Sequence, residues 1–557
     1  MKISKLLIAT VVTVSALSVS SCTDFLKEEV LDRTNLDNYV KTDEEAVRFL
    51  YGGIAAVRDA VFGADFTSVV ELPTGDTYFT TNNQPRQALS ILAYDNENTY
   101  VQSVWGKLYT VISQMNILIA KLEDPGFAGT RANATKILAQ ARFIRGWAYF
   151  QLVQIWGEVP ITPAYFSTSG NIRPSRSSIE AVYTQIEGDV KFAFDNMKDN
   201  GIKSGKYVMP DTVKTTVAGG LTYYLPISKG AGALLLAKVF AAQKKYTEAE
   251  QTVDYLMDKR SLFDLLENYG DLFDVDKKGT ANRCKEVLWE MESQAVSGYE
   301  NKLHREMAPA ELTLVNGEPA VGKTTGYHNY VPTEALVMSF DQVRDKRYRW
   351  LYQFATKESI SSGPAIRKGF DITSTNADLG GPNYVLLRFA DALLLKAECC
   401  NDRNAPDEAK IYVDEVRERA GLDGLPDGLT KAQMMDAILL ERRHEFAHEA
   451  GNRLYDLRRT GTYIEAMNAF RTYRASLEGK ETLEIINPSY TGDTPKPGDQ
   501  TSDELTGKVP GDYFQIVVPF VAGSKNVDQK HLYHPIPNWD VKENPNLNNG
   551  LHTPNWN

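Results

Sequence analysis

Two stretches of this chain repeat one another at a fixed distance, and that repetition restricts the fold more than any other feature. Leu234-Leu235-Leu236-Ala237, followed by Glu248-Ala249 and Val253, matches Leu394-Leu395-Lys396-Ala397, followed by Glu408-Ala409 and Val413, at a constant offset of 160 residues. In both copies a helix with a small residue on its packed face turns into a second helix that begins near Glu-Ala. This is the pattern of tetratricopeptide helical hairpins, whose small residues let paired helices approach closely.

Helical periodicity is clear over 43–60, 99–123, 131–156, 177–197, 229–258, 385–402, 405–421 and 431–460. Between these segments lie 61–98, 198–226, 264–384 and 476–557, rich in Gly, Pro, Asn and Thr. Loops of that length inside a compact protein tend to be functional or to hold small irregular elements. No flexible linker divides the chain. Residues 22–557 are therefore expected to form one unit, with a helical scaffold mainly in 43–60, 99–258 and 385–460 and a loop-rich portion mainly in 61–98, 264–384 and 476–557.

Residues 1–21 have the form of a signal peptide: a basic start at Lys2 and Lys5, then an apolar run from Leu6 to Val19, too short to span a membrane. Val19-Ser20-Ser21-Cys22 resembles a bacterial lipobox, which predicts cleavage before Cys22 and lipidation of it. No later stretch is long and apolar enough to cross a membrane, so the lipid is the expected anchor. Removing Lys2 and Lys5 with the signal leaves 59 basic against 72 acidic residues, a formal charge of −13, which does not favour nucleic acid. Cys284, Cys399 and Cys400 are too few and too badly spaced for a disulfide framework or a zinc ribbon. The 28 Tyr and 7 Trp can pack a core or offer flat faces to a ligand.

Several blocks occur in a telling order. Asp24-Phe25-Leu26 follows the cysteine. Ala141-Arg142-Phe143-Ile144-Arg145-Gly146-Trp147 leads to Gly157-Glu158-Val159-Pro160. Leu387-Arg388-Phe389-Ala390-Asp391 precedes Val416-Arg417-Glu418-Arg419-Ala420-Gly421. Glu441-Arg442-Arg443-His444-Glu445 leads to Gly451-Asn452-Arg453-Leu454-Tyr455-Asp456, and His534-Pro535-Ile536-Pro537 to Asn544-Pro545-Asn546-Leu547. Together, behind a lipobox, they resemble the SusD/RagB family of outer-membrane nutrient-binding lipoproteins.

The resemblance implies a mainly α-helical fold, with tetratricopeptide-like hairpins forming a superhelical scaffold that supports a loop-rich irregular portion. It implies a lipid-anchored protein on the outer membrane, facing the cell exterior. Such a protein captures an oligosaccharide and delivers it to a SusC-like TonB-dependent transporter, with no cofactor, no metal and no covalent change to the ligand. Lys27-Glu28-Glu29 fits the acidic export signal of such lipoproteins. A peptide is the alternative ligand, as in RagB-like members.

Glycan capture needs aromatic faces for sugar C–H groups and polar side chains for hydroxyls. Two loop regions have that composition: Asp76, Tyr78, Phe79, Asn82, Asn83 and Gln84, and then Tyr299, Asn301, His304, Tyr327, His328, Asn329 and Tyr330.

Two further motifs compete with this picture. His444-Glu445-Phe446-Ala447-His448 is a literal H-E-x-x-H, which on a helix would set two imidazoles on one face with a glutamate as general base. That is the basis for a zinc-dependent surface hydrolase. Against it, a stripe of Leu439, Phe446, Ala450 and Leu457 should face the core, with Arg442 and Arg453 bordering it, which places the histidines on an opposite, polar face. Gly317-Glu318-Pro319-Ala320-Val321-Gly322-Lys323-Thr324 matches a phosphate loop, with Leu312–Val315 as its strand. Yet Gly326 and Pro332 follow where the required helix should begin, and Pro319 lacks an N–H for the cradle.

Overall fold

The computed structural model describes residues 39–549 apart from 82, 163–172, 204–205, 215–220, 309–313, 316–317, 320–325, 354–364, 370, 372–373, 375, 377, 450, 478–481, 487–512 and 518–526. The signal peptide, Cys22 and Lys27-Glu28-Glu29 lie outside the described residues.

Four long helices build the first half of the scaffold: α1 (Asp43–Phe62), α2 (Thr99–Glu123), α3 (Arg131–Trp156) and α4 (Ile179–Asn196). Each begins where a side-chain oxygen satisfies a backbone N–H that has no partner within the helix. Thr42 does so for α1, in a reciprocal box with Glu45, as do Asn98, Thr130 and Ser178 for the other three. Asp43 accepts from Thr130 N–H at 3.1 Å and Asn133 Nδ2 at 2.8 Å, which pins the start of α1 to the start of α3. α3 packs against α1, α2 and α4, so its second half is buried on all sides.

The repeated segments form two stacked hairpins: α5 (Lys229–Ala242) with α6 (Tyr246–Met257), and α7 (Phe389–Asp402) with α8 (Pro406–Arg419). Their matched residues, Ala237, Ala249 and Val253 against Ala397, Ala409 and Val413, are all fully buried. α6 packs on α7 and joins one hairpin to the next, with Lys396 bonded to Glu250 at 2.8 Å and to Asp254 at 2.6 Å. Cys399 and Cys400 are buried within α7.

The run 229–258 holds the two helices of the expected hairpin, which turns where Lys244 takes φ +60°. Two other expectations need correction. The segment 385–402 is helical only from Phe389, because Tyr384–Arg388 pairs antiparallel with Val287–Met291 and its apolar side chains are buried there as a strand. The run 431–460 is also two helices, α9 (Lys431–Glu445) and α10 (Asn452–Arg459), and α11 (Tyr463–Ser476) extends the scaffold beyond it. At the break, His448 has φ +61° and Gly451 φ +77°. The carbonyl of Glu445 accepts from Arg388 at 2.7 Å and from the Tyr269 hydroxyl at 3.0 Å, and that of Ala447 accepts from Lys368 at 2.6 Å. The interruption is thus hydrogen-bonded to buried side chains in place of helical N–H groups. Ile438, not Leu439, is the fully buried residue on α9, and Ala450 lies outside the described residues.

A buried ionic network holds these parts together. Arg347, Arg388 and Arg419 converge on Glu445, and Glu286, Glu441, Glu449 and Asp345 complete the pairing. Charges removed from water this completely persist only when paired, and here the pairing joins α8, α9, a strand and the irregular portion.

The stretches between the scaffold helices hold small elements. Residues 61–98 contain the helices Ala64–Glu71 and Gln84–Ser90 with the strand Thr77–Phe79. Residues 201–225 contain two hairpins.

Candidate functional site

The two loop regions expected to contact ligand are brought together. Strand Thr77–Phe79 pairs antiparallel with Tyr330–Pro332, setting Tyr78 opposite Val331 and Phe79 opposite Tyr330. The side chains at this seam mostly point inward. Phe79 and Tyr330 meet edge-on at 5.2 Å, and the buried Arg86 guanidinium lies 4.9 Å from the first ring and 5.8 Å from the second. The Tyr330 hydroxyl contacts Ser68 Oγ at 2.5 Å. Asp76 is buried against Arg443 at 2.6 Å and Arg453 at 3.5 Å; burial pushes its carboxyl up, but the two guanidinium groups more than reverse this and hold it below the usual range. Asn83 caps the helix Gln84–Ser90 and donates to the Tyr100 hydroxyl at 2.9 Å. Tyr78 is half-buried, Gln84 is exposed, and Asn82 lies outside the described residues.

The second region is organised around the short helix Leu303–Met307. Asn301 is buried and donates to Pro382 O at 3.0 Å, while His304 Nδ1 accepts from Asp371 N–H at 2.9 Å. Gly380 closes over them, and a Cβ there would come within 2.2 Å of the His304 Cβ, so only glycine fits. The segment Tyr327–Asn329 is strapped to the same helix: Tyr327 N–H donates to Arg305 O at 2.7 Å, His328 N–H to Ala308 O at 2.9 Å and Asn329 N–H to Glu306 O at 2.8 Å. His328 and Asn329 are buried.

Two rings remain in water. Tyr299 is 55% exposed and Tyr327 is 48% exposed. Each is backed by an arginine, with Arg58 of α1 4.8 Å from the Tyr299 ring centre and Arg305 4.1 Å from that of Tyr327. Arg58 also donates to Gly298 O at 3.1 Å, and Arg305 pairs with Asp378 at 2.5 Å. Of the residues expected from sequence, Tyr299 and Tyr327 therefore present the open aromatic surface. Asp76, Phe79, Asn301, His328 and Tyr330 are buried and hold the loops in place. Arg58, Arg86 and Arg305 stand in no motif, and their role emerges only from the tertiary contacts.

The H-E-x-x-H residues do not share a helix face. α9 ends at Glu445, whose carboxylate is enclosed by Arg347, Arg388 and Arg419. His444 stacks on Phe340 at 4.2 Å and its Nε2 meets Ser339 Oγ at 2.9 Å. His448 lies within the break, with Nδ1 2.9 Å from Thr77 Oγ1 and Nε2 3.2 Å from the Tyr352 hydroxyl. Neither histidine occupies the exposed polar face expected of it. Burial, with Lys368 nearby, pushes His448 down to about 3, so it stays neutral. Within Gly317–Thr324, Glu318–Pro319 forms a two-residue hairpin arm with Leu314–Val315, and the rest lies outside the described residues. Glu250, Cys400 and Glu408 bring three potential ligand atoms within 4.8 Å of one another. Lys396 and Arg403 already pair with these carboxylates, and burial pushes the Cys400 thiol up to about 12, so a thiolate ligand is disfavoured.

The architecture defines a class of protein: a tetratricopeptide-like helical scaffold that presents exposed rings on firmly tied loops. The SusD family profile matches residues 352–556, and a profile described as starch-binding associating with outer membrane matches residues 52–214. A SusD-like protein of Bacteroides ovatus is 26% identical over 595 aligned residues, covering 98% of this chain and 97% of its own. A SusD homologue of Bacteroides thetaiotaomicron shares the fold with a TM-score of 0.69 at 22% identity, over 92% of this chain and 98% of its own. So do a laminarin-binding SusD-like protein (TM-score 0.62, 22% identity, 77% of this chain and 94% of its own) and a protein solved with a xylogluco-oligosaccharide (0.65, 22%, 91% and 99%). The chain is thus similar to SusD-family proteins in both matched regions and shares their fold.

Proposed function

We propose that this protein captures an oligosaccharide through Tyr299 and Tyr327 and releases it chemically unchanged to a SusC-like TonB-dependent transporter. Lipidated Cys22 would tether it to the outer membrane, facing the cell exterior. The observation that carries this is the pair of exposed, arginine-backed rings on loops strapped to the scaffold. A rigid ring offers a flat apolar face to sugar C–H groups and loses little conformational freedom on binding. Relatives described as binding laminarin and a xylogluco-oligosaccharide support a glycan ligand.

Calorimetric screening of the mature, lipid-free chain against glycans and peptides tests this. Binding of a neutral glycan with weak salt dependence is expected, because no long-range attraction is there for ions to screen. Binding of peptides alone, with affinity falling steeply in salt, would assign the protein to peptide uptake instead.

A further inference from the structure

A second aromatic platform stands on the exposed side of α1. Tyr51 is 36% exposed, and its hydroxyl is clamped by the backbone of Tyr224, donating to the carbonyl at 2.7 Å and accepting from the N–H at 3.1 Å. Tyr224 itself, on the strand Thr222–Leu225, is 53% exposed. Tyr223 supports the pair from behind, with its ring 6.1 Å from that of Tyr51 and its hydroxyl 3.2 Å from Arg48 Nε. The platform is therefore fixed before any ligand arrives.

Its position on α1 links it to the rings above. Tyr51 and Arg58 are seven residues apart, which on a helix puts them on one side and about 10 Å apart along the axis. Arg58 is the residue that backs Tyr299. Between them α1 presents only Gly52, where a Cβ would meet no atom within 4 Å, and the exposed Ala55. The result is a low floor, uncharged between Tyr51 and Arg58, with aromatic rings at both ends and about 10 Å of helix between them.

We propose that this trough extends the glycan site, so that a long oligosaccharide contacts Tyr299, crosses Gly52 and Ala55, and reaches Tyr51 and Tyr224. The extension rests on the assignment of Tyr299 as a sugar contact. A glycan is the occupant that fits because the trough leads toward that ring and the stretch of α1 between Tyr51 and Arg58 carries no charged side chain. The protein then favours long oligosaccharides over the short products of complete digestion.

The test uses length-graded glucan, mannan, xylan and galactan oligosaccharides, titrated calorimetrically into the mature, lipid-free chain and its Tyr224→Ala, Ala55→Trp and Tyr299→Ala variants. Wild-type affinity should rise with length until the trough is filled. Tyr224→Ala and Ala55→Trp should lose about tenfold for the longest ligands and nothing for the shortest, whereas Tyr299→Ala should weaken every length. Melting curves identify misfolded variants, and Tyr224→Ala decides alone if Ala55→Trp does not fold. If Tyr299→Ala weakens binding while Tyr224→Ala keeps wild-type affinity for long ligands, the extension is refuted and the Tyr299 contact stands. Unchanged binding in Tyr299→Ala, or no binding of any series by wild type, refutes both.

Discussion

Glu445 separates a structural account of the H-E-x-x-H segment from a catalytic one, and its replacement by glutamine keeps the shape while removing the charge. Its side chain is fully buried; one oxygen meets Arg388 and Arg419, and the other lies 3.0 Å from Arg347. Hydrogen bonds to charged groups contribute about 1.5–3 kcal/mol each, and glutamine would keep part of that while turning an N–H group toward a guanidinium. Removing one partner from a buried ionic cluster costs about 3–5 kcal/mol, which is the loss expected for Glu445→Gln. The pH dependence is also fixed in sign. Burial pushes the Glu445 carboxyl up, but Arg419, Arg388 and Arg347 outweigh it and hold it well below the ordinary range. The stability it supplies is complete above the unfolded value of about 4.3 and is lost as pH falls toward the folded one. Denaturant titration at neutral pH should show the full difference, narrowing below about pH 4. A variant within about 0.5 kcal/mol of wild type would refute the network as described.

Other consequences follow from single groups. Burial, reinforced by Asp76 and against a hydrogen bond from Gly451 N–H, pushes Glu71 up to about 7, so the stability tied to its protonation is present at low pH and lost as pH rises through that value. Glu71→Gln keeps the acceptor for Gly451 and should match wild type near about pH 5 but exceed it near about pH 8; an equal effect at both would contradict the assignment. His448→Ala leaves Thr77 and Tyr352 without their partner and should lower stability by about 1–3 kcal/mol while glycan affinity and metal content stay unchanged. Stoichiometric zinc lost with that substitution would revive a hydrolase. Cys22→Ala should move the protein from the membrane to the soluble fraction with no change in melting, and persistent membrane association would show that the anchor lies elsewhere.

The scaffold was legible in the sequence because its signals are local. α2 and α3 occupy the residues that periodicity assigned, and the small residues of the repeat, Ala237 and Ala397, lie where two helices meet. The break after Glu445 was not legible, because it depends on Lys368, Arg388 and Tyr269 reaching its carbonyls from distant parts of the chain. Local pattern favoured one long helix there, and tertiary hydrogen bonds prevailed. The candidate site was half legible for a related reason. Composition identified loops rich in Tyr and Asn but could not distinguish rings turned inward, Phe79 and Tyr330, from rings left in water, Tyr299 and Tyr327. That distinction arises from the pairing of Thr77–Phe79 with Tyr330–Pro332, more than 200 residues away in sequence, and from Arg86, which packs against both rings.

Glycan capture at Tyr299 and Tyr327 is tested most directly by titrating a bound oligosaccharide into the Tyr299→Ala/Tyr327→Ala double variant. Each ring lost should remove about 1–3 kcal/mol of apolar contact, so affinity should fall at least about tenfold while the melting temperature, set by the scaffold and its buried network, stays at the wild-type value. Wild-type affinity in the double variant would place the ligand elsewhere on the protein and contradict the central claim.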